Sequence, residues 1–295
     1  MVRPAPDRPQ RLVFLGTPAV AVPPLRALHG AGFDIALVVT RADKRRGRGS
    51  TLAPSPVKAA ATELGIPVTT DVDAVLDTGA DLGVVVAFGR IIKPHVLDVV
   101  PMVNLHFSLL PRWRGAAPVE RAILAGDERT GVCVMAVEEG LDTGGVYRVE
   151  ATPIGPDETL DALRGRLVAI GTRLLLDALR EGLGPPAPQV GEVTYAEKID
   201  PAELGLDWSA PAEQLARVVR LGGAWTTFRG RRLKVWSARA TDGTHIGPGR
   251  IQGTTVGCGS GALELVEVQP EGKPRLAASA WANGARPAAT DLFGA

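Results

Sequence analysis

Val103-Asn104-Leu105-His106-Phe107-Ser108-Leu109-Leu110-Pro111-Arg112-Trp113-Arg114-Gly115-Ala116-Ala117-Pro118 passes from a short buried strand, through a confined turn, into a helix. Val103–Phe107 sets apolar side chains between Asn104 and His106, and alternate residues of a strand share one face. Gly115 and Pro118 limit the turn, and Ala117–Ala125 reads as helix. The same alternation extends outward. Leu12–Leu15, Ile35–Val39, Gly83–Phe88 and Val132–Val137 read as strands, with helices over Val22–His29 and Val57–Leu64. Near-continuous apolar runs separated by helices describe an α/β fold whose parallel or mixed sheet is covered on both faces. Asp157 is expected to cap a last long helix, with Leu160, Leu163, Leu167, Ile170 and Leu174 at helical spacing and an end near Gly182.

Gly182-Leu183-Gly184-Pro185-Pro186-Ala187-Pro188 cannot hold a helix and opens a semi-rigid linker. A helix around Ala212–Leu221 follows, then short strands punctuated by glycine: Thr226–Phe228, Leu233–Ala238, Gly249–Gly253 and Leu263–Val268. That texture suits a small antiparallel sheet or barrel. The expected organisation is a flexible N-terminal extension over 1–10, an α/β domain over 11–182, a linker over 183–199 and a β-rich domain over 200–295.

The 295 residues are 45% hydrophobic, enough for real cores, which excludes a mainly disordered chain. Cys133 and Cys258 are too few and too far apart for a disulfide framework, and neither they nor the histidines show metal-ligand spacing. No apolar stretch reaches the ~18–20 residues that span a bilayer, and Met1–Gln10 lacks the apolar centre of a signal peptide. A cytoplasmic, monomeric protein with no metal and no membrane partner is expected. The formal net charge of +1 hides an asymmetry: residues 201–295 carry 11 basic and 8 acidic side chains, the rest 22 and 24.

Gly16-Thr17-Pro18 after the first strand has neither G-x-G-x-x-G nor a P-loop pattern, so the glycine reads as structural. After the second strand, residues 41–48 pack five cations (Arg41, Lys44, Arg45, Arg46 and Arg48) beside one acid, Asp43. Loops after strands in α/β sheets lie at the ligand-binding edge, and such charge neutralises phosphates. Residues 217–240 hold seven cations and no acid, Arg231 and Arg232 among them, interleaved with Trp225, Phe228 and Trp236. Cations with aromatics suit nucleic-acid backbones; a solvated rim over core aromatics is the plain alternative. Asn104 and His106 offer hydrogen-bond donors to one oxygen, and the imidazole can exchange a proton. Leu141-Asp142-Thr143-Gly144 presents an acid after another strand, and a carboxylate beside an imidazole orients it. Each taken singly has a bland reading, a satisfied histidine or a turn, and His29, His95 and His245 compete.

Asn104-x-His106-x-Ser-Leu-Leu-Pro-Arg-x-Arg-Gly-Ala-Ala-Pro together with Leu141-Asp142-Thr-Gly closely resembles the signature of methionyl-tRNA formyltransferases. Its Asn…His…Asp core is shared with the wider 10-formyltetrahydrofolate-dependent formyltransferases. Phe14–Pro18, Pro54–Lys58, Val85–Ile92, Thr194–Ile199, Asp207-Trp208 and Gly261–Leu265 resemble further family segments, so the likeness covers most of the chain. It implies a Rossmann-like formyltransferase domain followed by a smaller OB-like β-barrel that grips tRNA. It implies Asn104, His106 and Asp142 as the catalytic set. Folate, as 10-formyltetrahydrofolate, would border Ser108, Leu109, Leu110, Pro111, Phe88 and Ile91. Initiator methionyl-tRNA would meet Lys44, Arg45, Arg46, Arg48, Arg231 and Arg232, with Arg48 in the place of the loop arginine that approaches the acceptor end. The sequence departs from the pattern at Ala19-Val20, Ser50-Thr51, Leu221–Trp225 and Ser260, none of which removes a catalytic group. Rival readings are a formyltransferase for an amino sugar or small amine, a non-catalytic tRNA-binding protein, and a nicotinamide-dependent oxidoreductase, the last disfavoured by the absent glycine fingerprint.

Overall fold

The computed structural model describes residues 4–45, 52–242 and 246–294. Its contacts divide the chain into two compact units: residues 1–118, 129–153 and 164–197, and residues 119–128, 154–163 and 198–295. The first unit is built on a seven-stranded sheet. Its strands are β1 (Arg11–Gly16), β2 (Asp34–Val39), β3 (Val68–Thr69), β4 (Leu82–Val86), β5 (Met102–His106), β6 (Arg129–Ala136) and β7 (Val146–Pro153). They lie in the order β7-β6-β5-β4-β1-β2-β3. The five strands from β5 to β3 are parallel, while β6 runs antiparallel to β5 and β7 antiparallel to β6. Leu12, Val13, Phe14, Leu15, Val84, Val86 and Val103 are fully buried, as strands covered on both faces require. Each such side chain contributes about 1.5–3 kcal/mol by leaving water.

Helices Val22–Gly30, Pro56–Glu63 and Leu160–Glu181 fall where the periodicity places them. The cap of the long helix differs from expectation. Thr159 Oγ1, not Asp157, accepts from the Ala162 amide at 3.3 Å, because Thr159 stands immediately before the first helical residue. At Gly171 a Cβ would sit 3.0–3.1 Å from Val132 and Leu105, so the helix lies close against the sheet beneath β5. Gly16 is structural, as its sequence context suggests: a Cβ there would stand 2.9 Å from Ala21 and Phe14. Strand β7 has no counterpart in the sequence reading. It is an edge strand with Val149 exposed and charged Arg148 and Glu150 interleaved, which hides its apolar alternation.

The stretch expected as a linker is stitched onto the first unit. Ala187 and Val146 exchange both backbone hydrogen bonds, at 2.7 and 2.9 Å. Tyr195–Ala196 pairs in parallel with Arg114–Gly115. Residue 7 of the expected flexible extension is also held: Asp7 accepts from the Gly184 amide at 2.9 Å through its side chain and from Leu183 at 3.0 Å through its carbonyl.

The second unit carries β8 (Trp225–Phe228), β9 (Arg231–Thr241), β10 (Ile251–Gln252), β11 (Thr255–Gly257), β12 (Ala262–Pro270) and β13 (Leu276–Ala277). Their order is β8-β9-β12-β11-β10, with β13 also on β12, and every pairing is antiparallel. Helix Ala212–Arg220 turns Leu215, Val218 and Val219 into the core. There Trp208, Trp281 and Phe293 stack at 5.4–5.6 Å, with Phe228 edge-on. Residues 119–128 and 154–163, expected in the first domain, group here. Arg121 donates to both Glu203 oxygens at 2.6 and 3.0 Å, and Arg220 donates to the Glu158 and Gly155 carbonyls at 2.9 Å. Among the described residues, no helix is long and apolar enough to cross a membrane.

Candidate active site

Parallel strands end together at one edge of a sheet, and ligands of open α/β folds bind beyond that edge. Asn104 and His106 occupy the end of β5, where Val85 of β4 lies opposite Asn104 and Met135 and Cys133 of β6 lie opposite Asn104 and His106. The loop between β6 and β7 brings Asp142 to them. Its carboxylate touches three groups: Oδ2 accepts from the Gly115 amide at 2.8 Å and stands 3.6 Å from His106 Nδ1, while Oδ1 lies 3.5 Å from Asn104 Nδ2. The His106 side chain is 5% exposed and that of Asp142 15%, so this contact sits at the margin of solvent.

The other imidazole nitrogen, Nε2, lies 2.9 Å from the Trp113 carbonyl. A carbonyl only accepts, so Nε2 carries hydrogen and the ring is fixed with Nδ1 toward Asp142. Trp113 and Asp142 both have left-handed backbones, at φ 63° and φ 50°. For residues other than glycine this costs about 1–3 kcal/mol each and persists only where surrounding contacts impose it. Here they do. The Trp113 amide donates to Thr194 Oγ1 at 2.9 Å, and the Asp142 carbonyl accepts from Gln189 Nε2 at 2.8 Å. Glycine is needed at two neighbouring points. A Cβ on Gly144 would lie 2.0 Å from the Ala136 carbonyl oxygen, and one on Gly115, at φ 124°, would lie 2.8 Å from that of Ala196.

Cys133 lies behind the turn, and its thiol donates to the Ser108 carbonyl at 3.1 Å. Burial pushes that thiol up to about 11, which leaves it neutral and a packing group rather than a nucleophile. Among the described residues, no group of three or more His, Cys, Asp or Glu side chains could hold a metal ion. An amide, an imidazole and a carboxylate around one edge are suited to an acyl oxygen and a proton in transit.

The model of the family described as formyl transferase matches residues 10–179, and that of the formyl transferase C-terminal domain matches residues 198–286. The methionyl-tRNA formyltransferase of Symbiobacterium thermophilum is 45% identical over 300 aligned positions, covering 93% of this chain and 92% of its own. The chain belongs to the methionyl-tRNA formyltransferase family.

Solved structures share the formyltransferase fold at lower identity. HypX from Aquifex aeolicus, in complex with tetrahydrofolic acid, is 15% identical with a TM-score of 0.64; the match covers 94% of this chain and 47% of HypX. The N-formyltransferase from Helicobacter canadensis, in complex with folinic acid and dTDP-3-aminofucose, is 16% identical with a TM-score of 0.65, covering 86% of this chain and 98% of that one.

Other residues singled out in the sequence of this formyltransferase fall in different settings. Ser108 is fully buried and donates to the Arg112 carbonyl at 2.6 Å, closing the turn. Leu109 and Leu110 are half-buried directly after it, and Pro111, joined to Leu110 by a cis peptide, is buried. The two residues after β4 diverge: Phe88 is 2% exposed and packed in the core with Val13, Leu15 and Val39, while Ile91 is 87% exposed. Lys44–Arg45 forms a short strand paired with Leu52–Ala53; Arg46 and Arg48 lie outside the described residues. Arg231 and Arg232 are exposed on β9, and the Arg232 guanidinium lies over Trp225, 4.3 Å from the ring centroid. Trp113, Thr194 and Gln189 were not singled out as site residues by sequence. The first acts through a backbone carbonyl, which has no residue signature, and the other two lie in the proline-rich stretch that reads as a linker.

Proposed function

We propose that this chain transfers the formyl group of 10-formyltetrahydrofolate to the α-amino group of methionyl-initiator tRNA, working as a monomer in the cytoplasm. The observation that carries the reading is the meeting of Asn104, His106 and Asp142 at the end of β5, in a chain 45% identical to a methionyl-tRNA formyltransferase. The folate cosubstrate supplies an acyl carbon already joined to a nitrogen leaving group. Asn104 Nδ2 is the donor for the oxygen that gathers negative charge as the amine attacks, while the imidazole, its Nε2–H held by the Trp113 carbonyl, presents Nδ1 beside it. Asp142 orients the ring through Nδ1 and, through that nitrogen or an intervening water, passes the proton the amine loses to the folate nitrogen as its bond to the formyl carbon breaks. Leu109, Leu110, Pro111 and Ile91 fit an apolar ring system, whereas Phe88 packs in the core. The cations of residues 44–48 and Arg231 and Arg232 fit the phosphates of tRNA.

The test is formyl transfer by the purified protein from 10-formyltetrahydrofolate to initiator methionyl-tRNA, with elongator methionyl-tRNA and a nucleotide-linked amino sugar in parallel. Formylation of the initiator alone is expected. Formylation of the sugar instead would keep the catalytic set and overturn the tRNA substrate.

A further inference from the structure

We propose that Gln189 is a positioning residue for Asp142, an inference that rests on the formyl-transfer reading above. A glutamine amide has two N–H donors and an oxygen with two lone pairs. At Gln189 all four are used. Nε2 donates to the Asp142 carbonyl and to the Gly144 carbonyl, each at 2.8 Å. Oε1 accepts from Arg114 Nη2 at 2.7 Å and from Arg114 Nε at 3.1 Å. The amide therefore joins two pieces of chain, the acid-bearing loop and the turn after β5.

Those two pieces meet again at the reacting groups. Arg114 is followed by Gly115, whose amide donates to Asp142 Oδ2 at 2.8 Å. A closed ring results: Gln189 to the Asp142 backbone, the Asp142 carboxylate to Gly115, and Arg114 back to Gln189. Asp142 holds its left-handed φ of 50° without being glycine, and the Gln189 donor falls on the carbonyl of that same residue. Gln189 is itself fixed from both sides. The Ala187–Val146 hydrogen bonds precede it, and the Thr194 and Tyr195–Ala196 contacts follow it. Its two donors thus set where the carboxylate stands relative to His106 and Asn104, and nothing in the ring requires Gln189 to touch substrate.

Two variants separate positioning from simple anchoring. Gln189→Glu keeps an acceptor for the Arg114 guanidinium, now charge-assisted, but sets oxygen against the two carbonyls that lose their donors. Gln189→Met removes both halves at similar volume. Steady-state formyl transfer to initiator methionyl-tRNA is measured for the wild type, both variants, Asp142→Ala, and Asp142→Ala combined with Gln189→Glu. For both single variants kcat is expected to fall roughly ten- to a hundredfold while KM for either substrate moves less than about threefold. The unfolding temperature of Gln189→Glu is expected to fall by a few degrees, since two carbonyls lose a donor each, with the variant folded at the assay temperature. In the Asp142→Ala background, Gln189→Glu is expected to change kcat by less than about twofold, since its effect passes through the missing carboxylate. Full kcat in Gln189→Glu, independent losses that multiply in the double variant, or failure of both single variants to fold would overturn the proposal. A wild type without formyl transfer would overturn the underlying reading, and the role of Gln189 with it.

Discussion

The edge of the first unit and the β8–β9 face of the second both gather polar side chains, and they hold them in opposite ways. Around β5 the groups bond to one another and to backbone: His106 to Trp113, Asp142 to Gly115, Gln189 to Asp142 and Arg114. On the second unit several cations rest on aromatic faces. Arg232 lies over Trp225, and both Arg275 and Lys234 lie over Trp236, at 3.3 and 5.5 Å from the ring centroid. A hydrogen-bonded web fixes atoms to fractions of an ångström, as bond-making requires. A cation on a ring face keeps rotational freedom and tolerates exchange, which suffices for attracting a charged backbone.

The contrast breaks most sharply at His106. His106→Ala is expected to lower formyl-transfer kcat by about 10²–10³ with tRNA affinity unchanged; equal losses in both would make the imidazole a structural group. Next comes the face of the second unit. Arg231→Ala with Arg232→Ala should weaken tRNA binding about tenfold at low salt and flatten the salt dependence by about 1.4–1.8 in log–log slope. Turnover at saturating tRNA should stay constant, and an unchanged slope would remove these arginines from the interface. Thr194→Val removes the hydroxyl that accepts from the Trp113 amide. It is expected to cost about 1–3 kcal/mol of stability by urea titration, with a smaller loss of kcat than His106→Ala.

The smallest effect concerns the buried thiols. Burial raises Cys133 and Cys258 from 9.0 to about 11. The folded state therefore retains a proton that the unfolded state gives up. The stabilisation is full below pH 9 and is lost as pH rises toward 11. Cys133→Ser keeps a donor for the Ser108 carbonyl without titrating in this range, so its stability should fall less between pH 9 and 11 in thermal melts.

What the sequence discloses follows the same contrast. Strands β1, β2, β4, β5 and β6 are legible because both sheet faces are covered, so each is a nearly unbroken apolar run. Strand β7 is not, because Val149 is exposed on one face and the charged, half-buried Arg148 and Glu150 alternate with it on the other. The proposed set of Asn104, His106 and Asp142 is legible through its likeness to the family signature, because the two-residue spacing and the glycine-flanked loop, taken singly, also read as a satisfied histidine and a turn. The apparatus that orients them is silent: a carbonyl at Trp113 looks like any other, and Gln189 is embedded among prolines that describe a spacer. Segments 119–128 and 154–163 have ordinary helical and turn composition, and only long-range pairs such as Arg121–Glu203 assign them to the second unit. Phe88 and Ile91 stand three residues apart in one motif, yet one faces the core and the other solvent, with left-handed Ala87 and Gly89 on either side of Phe88.

Gly144 touches no reacting atom, yet any side chain there would overlap the Ala136 carbonyl, whose strand borders the loop that carries Asp142. In a saturation-mutagenesis survey scored by growth, that position would tolerate nothing and would rank beside the aspartate itself. Such a survey would therefore map the tolerance of the backbone as faithfully as that of the chemistry. The two are told apart at Asp142, where asparagine keeps the fold and the loop, and at Gly144, where even alanine displaces them.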